Sequence, residues 1–140
     1  MNLMLNIAPK PQSRPRFTKR GFAYEEKGMK QWKENIRYEL YARQLKRIEQ
    51  GALYVGLNFY IYPPKYICKS DTKHPLENRQ LEQIFVEKKP DLDNYIKAVL
   101  DASNGILYKD DGQIVALSSQ KMYSYQPRIE IEIKKMEETE

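Results

Sequence analysis

Residues 54–62 constrain the fold of this chain more than any other stretch. Val55, Leu57, Phe59 and Ile61 alternate with Tyr54, Gly56, Asn58, Tyr60 and Tyr62, the period of two that belongs to a β-strand. One face is aliphatic and the other rich in tyrosine, so the expectation is a central strand covered on both sides. Its partners are legible by the same rule. Leu3, Leu5 and Ile7 alternate with Asn2, Met4 and Asn6 and read as an N-terminal strand ending at Pro9. Ile129, Ile131 and Ile133 alternate with Glu130, Glu132 and Lys134, so 128–135 is a strand with one buried face. Residues 114–120 read as another strand, and Ile84-Phe85-Val86 as a short one.

The helices show a different period. Met29, Trp32, Ile36 and Leu40 form one stripe that drifts to Tyr41, Leu45 and Ile48, predicting a long helix over 24–49. Trp32 lies on the stripe and reads as core. Lys30, Lys33, Arg37, Arg43 and Lys46 lie on the outer face, and Gln50-Gly51 stops the helix. A shorter helix is expected over 94–103. Ile96, Val99 and Leu100 give it a buried face, Asp93 is its N-cap, and Asn104-Gly105 ends it. The expected fold is therefore α+β: a single domain over 1–140, with a mixed sheet of four to five strands packed against one long and one shorter helix. A chain of 140 residues is long enough for a real core. Within 65–83 only a short helix near 76–83 suggests itself, and residues from Glu137 onward are expected to fray.

Charge is unevenly placed. Residues 1–50 hold 12 Lys/Arg and 5 Asp/Glu, whereas residues 51–140 hold 12 and 14. A basic half beside an acidic cluster fits a protein that grips a polyanion. The single cysteine, Cys68, excludes an internal disulfide framework and fits a reducing cytoplasm. No run approaches the roughly 18 apolar residues of a membrane span, and 3–7 is too short and lacks the basic lead of a signal peptide. A lone histidine makes a poor metal site, and His74 is the sole one; Cys68 reads as inert.

The chain has six aspartates, and five fall between positions 91 and 111. Pro90 keeps Lys89 extended and bars a helix there. On an extended start Asp91 and Asp93, two residues apart, point the same way. Lys97, four residues after Asp93, lies one turn along the same helix face. Carboxylates crowded together raise each other's pKa unless a cation sits among them, and carboxylate oxygens suit Mg²⁺ or Mn²⁺. The competing reading is an N-cap aspartate, a surface aspartate and a Lys97–Asp101 surface pair. Asp111 in Asp110-Asp111-Gly112 reads either as a turn residue or as a ligand closing the site from a second segment.

The run Lys-Pro-Asp-Leu-Asp-Asn-x-x-Lys-Ala-x-x-Asp-Ala, followed by Gly-Ile-Leu-Tyr-Lys-Asp-Asp-Gly-Gln-Ile-Val, resembles the signature of the RusA-type Holliday junction resolvases. Lys-Pro-Gln-Ser-Arg-Pro-Arg-Phe at 10–17 resembles the form found in phage and prophage members. The resemblance covers roughly the first 40 residues and 87–135; the stretch 64–86 has no counterpart. It implies that Asp91, Asp93 and Asp111 bind Mg²⁺, with Mn²⁺ able to substitute, and that Lys97 assists catalysis. The implied activity is Mg²⁺-dependent endonucleolytic resolution of four-way DNA junctions by paired symmetric cuts, in recombination and repair, by a cytoplasmic homodimer with no nucleotide cofactor. A DNA-binding module without catalysis is the alternative, and divalent-metal dependence separates the two.

Residues 10–21 contain Pro11, Pro15 and five basic residues (Lys10, Arg14, Arg16, Lys19 and Arg20) but no acid. Prolines exclude a regular helix, so an extended arm or loop on the phosphate backbone is expected, with Phe17 or Phe22 free to stack or wedge. Lys88 and Lys89 would add DNA contacts beside the aspartates. The alternative is a solvated loop with no specific partner.

Overall fold

The structure, a computed structural model, describes residues 1–69 and 74–136. The expected fraying from Glu137 onward lies outside the described residues. Four strands form a mixed sheet: β1 (Asn2–Leu5), β4 (Leu53–Ile61), β5 (Ile114–Tyr123) and β6 (Arg128–Lys135). Their spatial order is β1-β6-β4-β5. The β4–β5 pair is parallel, and β6 runs antiparallel to both β4 and β1. Two helices, α1 (Lys27–Ala42) and α3 (Leu92–Ser103), pack on one face; a single turn, α2 (Asn78–Leu81), lies between β4 and α3. The α+β expectation holds.

The core lies between the sheet and the two long helices. Leu53, Val55, Leu57 and Phe59 of β4, flanked by Leu3, Leu5, Ile129, Ile131 and Ile133, are buried against Met29, Trp32, Ile36 and Leu40 of α1. Tyr95, Ala98, Val99 and Ala102 of α3 close the layer, and the rings of Phe59 and Tyr95 stand 5.4 Å apart. Each large aliphatic side chain buried this way stabilises the fold by about 1.5–3 kcal/mol. Trp32 is core, as expected, and its indole N–H donates to Ala8 O at 2.9 Å. A second, smaller cluster forms under the stretch that the sequence leaves opaque, where Leu81, Val86 and Tyr123 pack with Ile67, Leu76 and Ile84. Arg128 joins it to the sheet, pairing with Glu82 at 3.1 Å and lying 3.8 Å over the Tyr60 ring.

Several expectations change. The tyrosine-bearing face of β4 is not covered: Tyr54, Gly56 and Asn58 line an open groove with Asn2, Ser118 and Glu132. The long helix is shorter than 24–49. Tyr24 is drawn into a two-residue strand, β3 (Ala23–Tyr24), paired with β2 (Arg16–Phe17). Glu26 caps the helix by accepting the Gly28 and Met29 N–H groups at 2.9 and 3.1 Å. At the other end Gln44 takes a left-handed φ of 52°, so Leu45 and Ile48 reach the core from a loop. The basic stretch is thus a hairpin, with a turn closed by Gly21 N–H on Thr18 O and a φ of 85° at Gly21. The 84–86 segment makes only an isolated bridge, Phe85 to Met122, and no full strand. The shorter helix begins at Leu92, so the residue at its N-cap is Asp91; Asp93 sits in the first turn. Gly105, at φ 81°, ends it as expected.

Candidate active site

Asp91 and Asp93 stand at the N-terminal end of α3, and both are exposed. Asp91 is extended, with φ −69° and ψ 145°. A helix start is a favourable place for anions, because its free N–H groups and dipole are positive. Lys97 lies one turn along and is also exposed. Lys89 Nζ lies 4.0 Å from Asp91 Oδ1 with both side chains open to water, a pair of little energetic weight.

The segment before Asp91 is held by a residue that periodicity could not single out. Lys121 on β5 donates from Nζ to Lys88 O and to Pro90 O, each at 2.7 Å, and its own carbonyl accepts the Val86 N–H at 3.0 Å. Charge-assisted bonds of this kind are about twice as strong as neutral ones. Lys121→Met keeps the aliphatic stem and removes both donors. Trypsin is then expected to cleave after Lys88 several-fold faster in the folded variant, because local opening governs such nicking. An unchanged rate would mean that the loop holds itself.

The basic stretch is docked at the same end of α3. Gln12 N–H donates to Asn94 O at 2.9 Å, within the first turn. Gln12 Nε2 donates to Glu25 at 3.2 Å, and Glu25 pairs with Lys33, which reaches on to Asp101 at 3.5 Å. Lys33, expected on the outer face, is therefore buried, and its hydrogen bond holds the Glu25 carboxyl below the usual range against the opposing effect of burial. Asp101 pairs with Lys33, not with Lys97. Gln12, Tyr24, Lys33, Lys97 and Asp101 together line a cavity of ≈ 290 Å³. Beyond it Arg14, Arg16, Lys19 and Arg20 are exposed and Lys10 is half-buried. Phe17 and Phe22 are 66% and 69% exposed on the hairpin. Lys88 and Lys89, directly before the aspartates in the chain, are exposed, with the Lys88 ammonium 4.5 Å over the Tyr66 ring.

Asp111 is not part of this end. Its N–H donates to Asn104 Oδ1 at 3.2 Å, and Asn104 is the C-cap of α3. Its charge is felt instead at Tyr108, whose phenol is pushed up by burial and, less strongly, by Asp111 and Asp101. Twelve residues of α3 separate the two ends by about 18 Å. The strand provides a second ruler: Ile114, beside Asp111, and Lys121, beside the Asp91 loop, lie about 23 Å apart along β5. Oxygens on one Mg²⁺ sit about 2.1 Å from the ion, so Asp111 of a chain cannot share a cation with Asp91 and Asp93 of that chain. Among the described residues no three His, Cys, Asp or Glu side chains gather closely enough to hold a metal ion. Asp110 beside it is tied locally, its N–H donating to Gln113 Oε1 at 3.0 Å.

Comparison with known proteins adds two findings. The family model described as Endodeoxyribonuclease RusA matches residues 6–134. The uncharacterized protein YqaN of Bacillus subtilis (strain 168) is 38% identical over 82 residues, 59% of this chain and 58% of that relative's length.

Proposed function

The chain belongs to the RusA endodeoxyribonuclease family, and we propose from that premise that it is a divalent-metal-dependent endonuclease acting on four-way DNA junctions. The observation that carries the reading is the docking of the basic hairpin at the Asp91–Asp93 end of α3, through Gln12 on Asn94. A polyanion gripped by Lys10, Arg14, Arg16, Lys19 and Arg20 lies beside two carboxylates and Lys97. Lys88 and Lys89, exposed just before Asp91, add positive charge beside the aspartates.

Asp91 and Asp93 offer hard oxygen donors of the kind Mg²⁺ takes, with Mn²⁺ as substitute. A bound cation of this class supplies charge neutralisation at a phosphate and a more acidic water. Within one chain the donor set stops at those two carboxylates, since Asp111 stands a helix length away. Lys97 offsets negative charge that develops on the phosphate in the transition state. Phe17 and Phe22 present rings on which unpaired bases stack. Two equivalent cuts require two equivalent sites, which a two-fold homodimer provides. No described helix is long and apolar enough to cross a membrane; the proposed setting is the cytoplasm.

The test compares a synthetic four-way junction, a fork and a linear duplex, each with and without Mg²⁺. Cutting of the junction that requires the metal supports the proposal. Binding without cutting under both conditions would leave a DNA-binding module, a reading favoured by the separation of Asp111 from Asp91. A second expectation concerns the hairpin. Arg14→Ala with Arg16→Ala lowers the log–log salt slope of junction binding by about one to two. An unchanged slope would take the hairpin off the phosphates.

A further inference from the structure

A cavity of ≈ 290 Å³ opens between the hairpin, α1 and α3. Its α3 wall is Lys97 and Asp101, which continue the face begun by Asp93 at intervals of four residues. Asp93 and Lys97 are thus one turn apart, about 5.4 Å. The volume falls just below the roughly 300–1,000 Å³ of sites that take drug-sized ligands, room for a single heterocycle. Charge narrows the choice further. Lys33 and Lys97 bring two ammonium groups, and Glu25 and Asp101 two carboxylates, so the lining is neutral as a whole. A free anion would face both carboxylates. A divalent cation would face Lys33, whose ammonium already stands between Glu25 and Asp101. A neutral, flat ring meets neither obstacle. Pro15, Ala23 and Tyr24 offer it apolar surface. Gln12 and Ser13 keep hydrogen-bonding capacity for a polar edge, since Gln12 Oε1 and Ser13 Oγ have no partner among the described residues.

We propose that this cavity is a subsite for one unpaired nucleobase, that of a nucleotide beside the cleaved phosphate. The assignment rests on the metal-nuclease reading of the Asp91–Asp93 end. A phosphate held at those carboxylates lies one helix turn from the cavity wall, a span that the nucleotide's own sugar covers. Taking a base out of its stack is costly in a continuous duplex and least costly where pairing is already interrupted. Strands exchange partners at the crossing of a four-way junction, so the cost is smallest there. The subsite thereby favours branched over linear DNA through the base it holds, whereas basic side chains on phosphates grip any backbone alike.

The test removes the base and, separately, the room for it. Four-way junctions are built with an abasic nucleotide on one side or the other of the mapped cut, and affinity is measured by gel shift without divalent metal. Wild type is expected to bind the intact junction about five- to tenfold more tightly than one of the two abasic junctions, the scale of a single stacked base. Ala23→Phe fills the cavity from the hairpin and deletes no charge or hydrogen-bonding side chain. Its affinity for the intact junction should fall to that of wild type for the abasic one, and its own preference for the intact junction should vanish. Should Ala23→Phe fail to fold, Ser13→Leu takes its place. Wild type that cuts in Mg²⁺ yet binds all three junctions alike overturns the subsite and leaves the nuclease reading standing. A folded cavity-filling variant that keeps the wild-type preference does the same. Wild type that cuts no junction in Mg²⁺ overturns both.

Discussion

Asp91→Asn is expected to lower Mg²⁺-dependent junction cleavage by at least about a hundredfold, the scale on which loss of one charge-stabilising group at a reacting centre is felt. Junction affinity should stay within a few-fold of wild type. An amide oxygen is a weak ligand for a hard cation, whereas the basic residues from Lys10 to Arg20, proposed to hold the phosphates, are untouched. The fold should also survive, since the Asp91 side chain makes no capping hydrogen bond and is exposed. Asparagine serves as well as aspartate at a helix start. Gel-shift and cleavage assays on one preparation separate the two effects. Wild-type cutting by the folded variant would remove Asp91 from the site.

The second large effect is expected at Asp111, with its neighbour as the control. Asp111→Asn should lose cleavage on the same scale, and Asp110→Asn should stay within a few-fold of wild type. Both changes are expected to spare the local fold. The Asp111 contact to Asn104 uses a backbone N–H, which asparagine retains, and Asp110 caps the turn at 111–113 through its side chain and its N–H, a role asparagine fills as well. Were Asp111 only a turn residue, asparagine would serve equally well and the substitution would be silent. A metal ligand leaves a second trace: the thermal stabilisation that Mn²⁺ gives the wild type should shrink for Asp111→Asn. Equal cleavage by wild type and both variants would sink the assignment of Asp111 as a ligand.

Much of the scaffold could be read because its signals are local. Alternation marked β4 and β6, a three-four spacing marked α3, and Asn104-Gly105 marked its end. Features set by distant partners could not be read. Tyr24 leaves the helix because Arg16 offers it a strand partner, and Lys33 leaves the outer face because Glu25 and Asp101 lie within reach. Lys121 works on carbonyls 31 and 33 residues away, and carbonyls carry no sequence signal. The aspartates were legible as residues but not as an assembly. Eighteen positions separate Asp93 from Asp111, and only the direction of α3 decides that those positions lead away from the site.

The hydrogen bond between Gln12 and Asn94 has a mechanical consequence. A flexible basic tail catches its target from many angles and loses that freedom on binding. Here the tail is pinned at its root and folded back on itself by the Arg16–Tyr24 and Phe17–Ala23 pairs, so much of that freedom is already given up. The hairpin acts as a fixed caliper set against the first turn of α3. Its tip can swing, but the span from its base to Asp91 cannot stretch. For a nucleic acid backbone held there as proposed, the carboxylates would meet it at one constant offset, set by the fold and indifferent to the sequence held.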